Sequence, residues 1–138
     1  VRQAVIRYGL EQAVTITGRV DFEQIGQYLR QARVGWVPWQ AVAKNQKNIP
    51  TKLFEYMAYA LPIVGSDLHS IRPFLKDGDN GYLVSSTNPA DHATAIINLL
   101  NNPQTAAAMG LRGQMRVHQQ YNWAMMEEHL LSFYEAML

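Results

Sequence analysis

Two short apolar runs, VGWVP (34–38) and PIVGS (62–66), do not alternate between apolar and polar residues, and a helical pattern lies between them. Strands that read this way are covered on both faces, as in parallel sheets, and a helix between them supplies the crossover that parallel pairing requires. VTIT (14–17), β-branched and closed by Gly18, reads as an earlier strand ending in a tight turn. YLV (82–84), after the turn-forming DGDNG (77–81), reads as a last one. Between VTIT and VGWVP, Asp21 is placed to cap a helix in which Ile25, Tyr28, Leu29 and Ala32 recur on one face. Residues 39–50 are polar and aperiodic, which predicts a mobile loop, and a brief helix is expected over 70–75. From Pro89 the pattern is helical throughout, over about 90–100, 103–119 and 123–138, the last capped by Asn122 and striped with Met126, Leu130, Phe133, Tyr134 and Met137. The class is α/β, a parallel sheet with flanking helices and a helical C-terminus.

At 138 residues the chain holds one domain and no second. No apolar run approaches the roughly 20 residues that cross a bilayer. The net charge of +1 gives no global attraction to nucleic acid, so any anion site must be local. Cysteine is absent, which excludes disulfides and thiolate metal sites and fits a reducing compartment. His92, His118 and His129 are too scattered to hold a metal. The chain begins at Val1 and reads as a piece of something longer.

The stretch NIPTKLFEYMAYALPIVGSD (48–67) concentrates the chemistry. Thr51 is placed to cap a helix whose Leu53, Phe54, Met57, Ala58 and Leu61 share one face and whose Lys52, Glu55, Tyr56 and Tyr59 share the other. In an open parallel sheet, ligands lie at the carboxyl ends of strands against helix starts. Free amides of Lys52, Leu53 and Phe54, with the Lys52 ammonium, would receive a phosphate there. Glu55, one turn on, could accept two hydrogen bonds from a vicinal diol such as ribose. The same spacing also describes a solvent-facing Lys52–Glu55 ion pair of little energetic worth.

AVTITGRVDFEQIGQYLRQARVGWVP, TKLFEYMAYALPIVGSD, DGDNGYLV and YNWAMMEEHLLSFYEAML, in this order over nearly the whole chain, resemble the donor-binding half of the group 1 (family 4) retaining glycosyltransferases of GT-B fold. The resemblance implies a single partial Rossmann-like domain, residues 1–138, from the C-terminal half of such an enzyme, truncated on its N-terminal side. It implies Glu55 for the ribose hydroxyls, Thr51, Lys52 and Leu53 for the diphosphate, and Arg19 and Val20 beside the base. The substrate it implies is a nucleotide diphosphate sugar, passed without metal or other cofactor to an acceptor held by an N-terminal domain that this chain lacks. Cell-surface polysaccharide or glycoconjugate synthesis is the setting, and cytoplasmic placement follows from the donor, with membrane association of the parent left open. Lys47 stands where the family carries an acid that orients the donor sugar. The fragment alone is expected to be inactive.

In the resembled fold two strands, absent here, lie between VTIT and VGWVP, so the chain is expected either to pair those runs directly or to dimerise through open sheet edges or an exchanged helix. Trp36, inside an apolar run, reads as core, Trp39 is free to serve as a sugar platform, and His69 reads as a solvated turn residue. Two other readings stand beside the transferase: a non-catalytic nucleotide-binding module, and an interaction domain whose polar helix faces are only solvated.

Overall fold

The computed structural model describes residues 1–137, as seven helices and three strands among the described residues: α1 (Arg2–Arg7), α2 (Phe22–Gln31), β1 (Gly35–Val37), α3 (Ala43–Lys47), α4 (Lys52–Ala58), β2 (Ile63–Ser66), β3 (Gly81–Val84), α5 (Pro89–Asn101), α6 (Pro103–Gln120) and α7 (Trp123–Glu135). The strands form one parallel sheet in the order β1-β2-β3, with Trp36 opposite Val64 and Val64 opposite Tyr82. The α/β class read from the sequence is the one observed.

The core has two layers, one on each face of β2, whose four residues are all buried. On one face Val37, Leu53, Met57, Ile63, Leu68, Ile71 and Leu75 pack with Val117 of α6. On the other Val64 packs with Ala95, Leu99, Ala106 and Met109. α6 therefore joins both layers and lies along α4. The turn after α4 makes that approach possible: Leu61 N donates to Tyr56 O (2.9 Å), Ala60 N to Met57 O (3.0 Å), and Ala60 takes φ +53°. This is a Schellman closure with alanine in the left-handed position usually held by glycine.

Five expectations are corrected. VTIT is not a strand; Val14 and Ile16 are each 38% exposed, and no neighbouring strand among the described residues completes their hydrogen bonds. Direct pairing of VTIT with VGWVP is therefore not observed either. Residues 39–50 are not structureless: α3 is tied down by Ser70 Oγ donating to Asn45 O (2.6 Å) and His69 N donating to Gln46 Oε1 (3.2 Å). The brief helix over 70–75 is a succession of turns, broken where Pro73 removes an amide. Trp36 is 49% exposed, because β1 is an edge strand covered fully on one face only.

At the start of α7 the asparagine read as a cap holds, and α5 carries a second asparagine cap that was not read from the sequence. Asn88 Oδ1 accepts from Ala90 N (3.1 Å) and Asn122 Oδ1 from Met125 N (3.1 Å), capping α5 and α7. Asp21 occupies the N-cap of α2 in extended conformation but makes no side-chain capping bond. Its negative charge, with that of Glu23, still complements the helix start.

Candidate functional site

α4 begins just beyond the carboxyl end of β1, and its polar face is divided between two cavities. The first, about 390 Å³, is lined by Trp39, Lys47, Asn48, Ile49, Pro50, Thr51 and Lys52. The second, about 220 Å³, lies between α2 and α4 and is lined by Phe22, Glu23, Ile25, Gly26, Leu29, Arg30, Glu55 and Tyr59. Thr51, Lys52 and Lys47 thus converge on one cavity while Glu55, one turn on, faces the start of α2. Lys52 and Thr51 are exposed and Glu55 is half-buried. Arg19 is exposed and Val20 half-buried, and they immediately precede α2, whose Phe22 and Glu23 line the Glu55 cavity.

The start of α4 differs from the expected anion pocket. Thr51 is not a cap: its φ −54° and ψ −32° are already helical and its hydroxyl caps nothing. Proline at position 50 starts the turn early, so Leu53 N donates to Pro50 O (3.0 Å) and Phe54 N to Thr51 O (3.0 Å). Of the three amides read as free, only that of Lys52 lacks a backbone acceptor among the described residues. The positive charge available to an anion comes from the Lys47 and Lys52 side chains, and no carboxylate lines their cavity.

The solvent-facing ion pair is not formed. Among the described residues the ion pairs are Arg72–Asp67, Arg112–Asp79 and Arg116–Asp79, so Lys52 and Glu55 each keep their charge available. Beside Glu55, burial raises the Tyr56 pKa and the Glu55 charge adds to the shift. α2 approaches α4 closely enough that a Cβ on Gly26 would stand 2.6 Å from the Tyr59 hydroxyl, and Arg30 lies over the Tyr59 ring at 6.0 Å. Tyr59, read from the sequence on the same helix face as Glu55, therefore stands one turn beyond it and holds Arg30 of the facing α2 in place; Arg30 was not singled out as a site residue. His69 is exposed, as read. No group of acidic and histidine side chains among the described residues could hold a metal ion, and no described helix is long and apolar enough to cross a membrane.

The family model for glycosyl transferases group 1 matches residues 1–102, and the chain belongs to that family. Its fold is that of the C-terminal half of GT-B enzymes. A phosphatidyl-myo-inositol mannosyltransferase of Mycolicibacterium smegmatis is 36% identical over 83 residues, covering 60% of this chain and 21% of that protein. The protein of the same description from Mycobacterium leprae is 29% identical over 127 residues, covering 92% of this chain and 33% of that one. Sucrose-phosphate synthase from Thermosynechococcus elongatus matches with a TM-score of 0.88 at 25% identity, over 99% of this chain and 33% of that one. The C-terminal domain of a group 1 glycosyl transferase from Francisella tularensis shares the fold, with a TM-score of 0.76 at 18% identity, over 88% of this chain and 60% of that one. Anabaena HepE, solved with UDP and glucose, shares it too, with a TM-score of 0.85 at 17% identity, over 98% of this chain and 35% of that one. The chain spans between a fifth and a third of the length of the two mannosyltransferases.

Proposed function

We propose that residues 1–138 are one partial domain that holds the nucleotide diphosphate sugar donor of a retaining glycosyltransferase, the parent being a hexosyltransferase. The observation that carries this reading is the convergence of Lys47, Thr51 and Lys52 on one cavity beside the carboxyl end of β1, with no carboxylate among its lining residues. In that reading the two ammonium groups face the diphosphate and stabilise the charge that grows on it as the sugar departs. Glu55 accepts the ribose hydroxyls, and Arg19 and Val20 flank the base. Leu53 contributes position rather than a free amide, its side chain anchoring the helix in the core. No metal or other cofactor is invoked, because the lysines supply the positive charge.

The acceptor and its domain lie outside this chain in the proposal, so the fragment binds donor without turning it over. Synthesis of a cell-surface polysaccharide or glycoconjugate on the cytoplasmic face is the corresponding setting. The open edge of β1 offers a route to a homodimer. A second reading, a non-catalytic nucleotide-binding module, is favoured by Lys47 itself, which brings a cation into the cavity where the resemblance leads one to expect an acid.

Calorimetric titration of the chain with UDP, GDP and ADP tests the proposal, alongside Glu55→Ala and Lys52→Ala. Saturable binding that both substitutions weaken supports the donor site, and the preferred base follows from the same data. Binding to none of the three, by this chain and by a longer parent alike, rejects it. Turnover by the parent separates the transferase from the binding module.

A further inference from the structure

On the face of the sheet away from α4, the indole Nε1–H of Trp36 donates to His92 Nδ1 at 3.1 Å, and the rings meet edge to face at 6.0 Å. The two residues lie 56 positions apart and join the edge strand β1 to the first turns of α5. His92 is only 6% exposed, whereas Trp36 is 49% exposed on the strand's open side. A cavity of about 640 Å³ flanks the pair, walled by Pro38, Val42, Ser86 and Thr87 as well as the two rings.

An imidazole that accepts at Nδ1 must be neutral and carry its proton on Nε2. Protonation puts a second N–H where the indole N–H already points, so the contact turns from hydrogen bond to donor against donor. We propose that the Trp36–His92 hydrogen bond is an acid-sensitive latch, closed while the imidazole is neutral and released on protonation, which frees the Trp36 edge and widens the adjoining cavity.

The surroundings set the latch for acid rather than neutral pH. Burial lowers the His92 pKa below its usual 6.5, opposed by the Ser85 backbone and the charge of Asp91. The positive end of α5, near which His92 sits, acts in the same direction as burial. Asp91 is the charged neighbour on α5, and its Oδ1 is engaged by Asn88 Nδ2 at 2.7 Å. β1 and the segment 38–42 contribute no charged group, the turn 85–89 contributes none, and β3 contributes on this face only the phenol of Tyr82.

The test is an NMR titration of the ¹⁵N-labelled chain from pH 8 to pH 4.5, reading the three indole N–H signals and the His92 ring nitrogens. At neutral pH, His92 Nδ1 should show the shift of an unprotonated acceptor. The Trp36 indole signal should move with the His92 ring at one shared midpoint below 6.5, while Trp39 and Trp123 stay still. Trp36→Phe keeps an aromatic ring but removes the donor, and should raise the His92 midpoint by about half a pH unit, about threefold in its proton affinity. His92→Gln keeps an acceptor that does not titrate, and should leave the Trp36 signal flat. A Trp36 signal that ignores the His92 titration overturns the latch, as does a His92 that titrates identically with and without the indole donor. The wild-type titration decides even if neither variant folds.

Discussion

Ala60 and Gly110 meet backbone to backbone: a Cβ on Gly110 would fall against the Ala60 carbonyl, and Ala60 itself holds the left-handed φ of +53°. The α4–α6 contact, on which both core layers depend, is set by this pair. Gly110→Ala should destabilise the chain by about 3 kcal/mol, because backbone rather than a flexible side chain must give way. Ala60→Gly should do little, adding at most about 1 kcal/mol, since relief of the left-handed strain is offset by a freer unfolded chain. Urea denaturation midpoints of the two variants check both signs.

Asn80 is fully buried and closes its own turn, accepting from Lys76 N (2.7 Å) and donating to Phe74 O (3.1 Å). Asn80→Ala strands an amide and a carbonyl inside the protein and should cost about 2–3 kcal/mol. Half-buried Asp79 next to it, held by Arg112 and Arg116 (2.9 and 2.8 Å), should cost about 1 kcal/mol as Asp79→Asn, and less in salt. Denaturation of the two variants at low and high ionic strength separates them.

Lys52 and Leu53 are neighbours with opposite duties. Leu53 has no exposed surface, so Leu53→Ala should lose about 2–4 kcal/mol of stability. Lys52 is exposed and without an ion-pair partner among the described residues, so Lys52→Ala should stay within about 0.5 kcal/mol while weakening nucleotide binding. Paired thermal melts and nucleotide titrations would show the crossing; a Lys52→Ala chain that binds as wild type contradicts the proposed diphosphate role.

Stability should fall in acid in two windows. Burial depresses the folded pKa of His92, so its contribution is complete above about 6.5 and drains as pH falls through the lower folded value. The Arg72 hydrogen bonds depress that of Asp67, whose contribution is present above 3.8 and is lost only below it. Urea midpoints at pH 7.5, 5.5 and 3.5 should decline at each step, and His92→Gln should flatten the first decline alone. The Asp67 step should be small, because both partners of that pair are largely exposed.

The parallel sheet and the late helices were legible because their signals are local: uniform apolar runs, the DGDNG turn, and the asparagine cap at Asn122. The misread elements depend on what lies beside them. VTIT has the composition of a strand, but a strand forms only on a neighbour, and none is present to receive it. Trp36 sits in an apolar run that a wider sheet would cover, and here becomes the exposed residue of an edge. At the candidate site, Lys52 and Glu55 were legible from spacing on one helix. The division of that face into two cavities was not, because it depends on α2 crossing above Glu55. Thr51 failed as a cap because Pro50 begins the helical turn one residue sooner than a threonine–lysine boundary implies.

Asn122 marks a border in the chain. Beyond it α7 has no buried residue among those described, and Trp123, Met126, Leu130, Leu131 and Phe133 are all about half exposed or more. A helix of 13 residues with no tertiary face is marginal in water. The amides after the cap should therefore exchange with solvent through local fraying, while those of α6 wait for global unfolding.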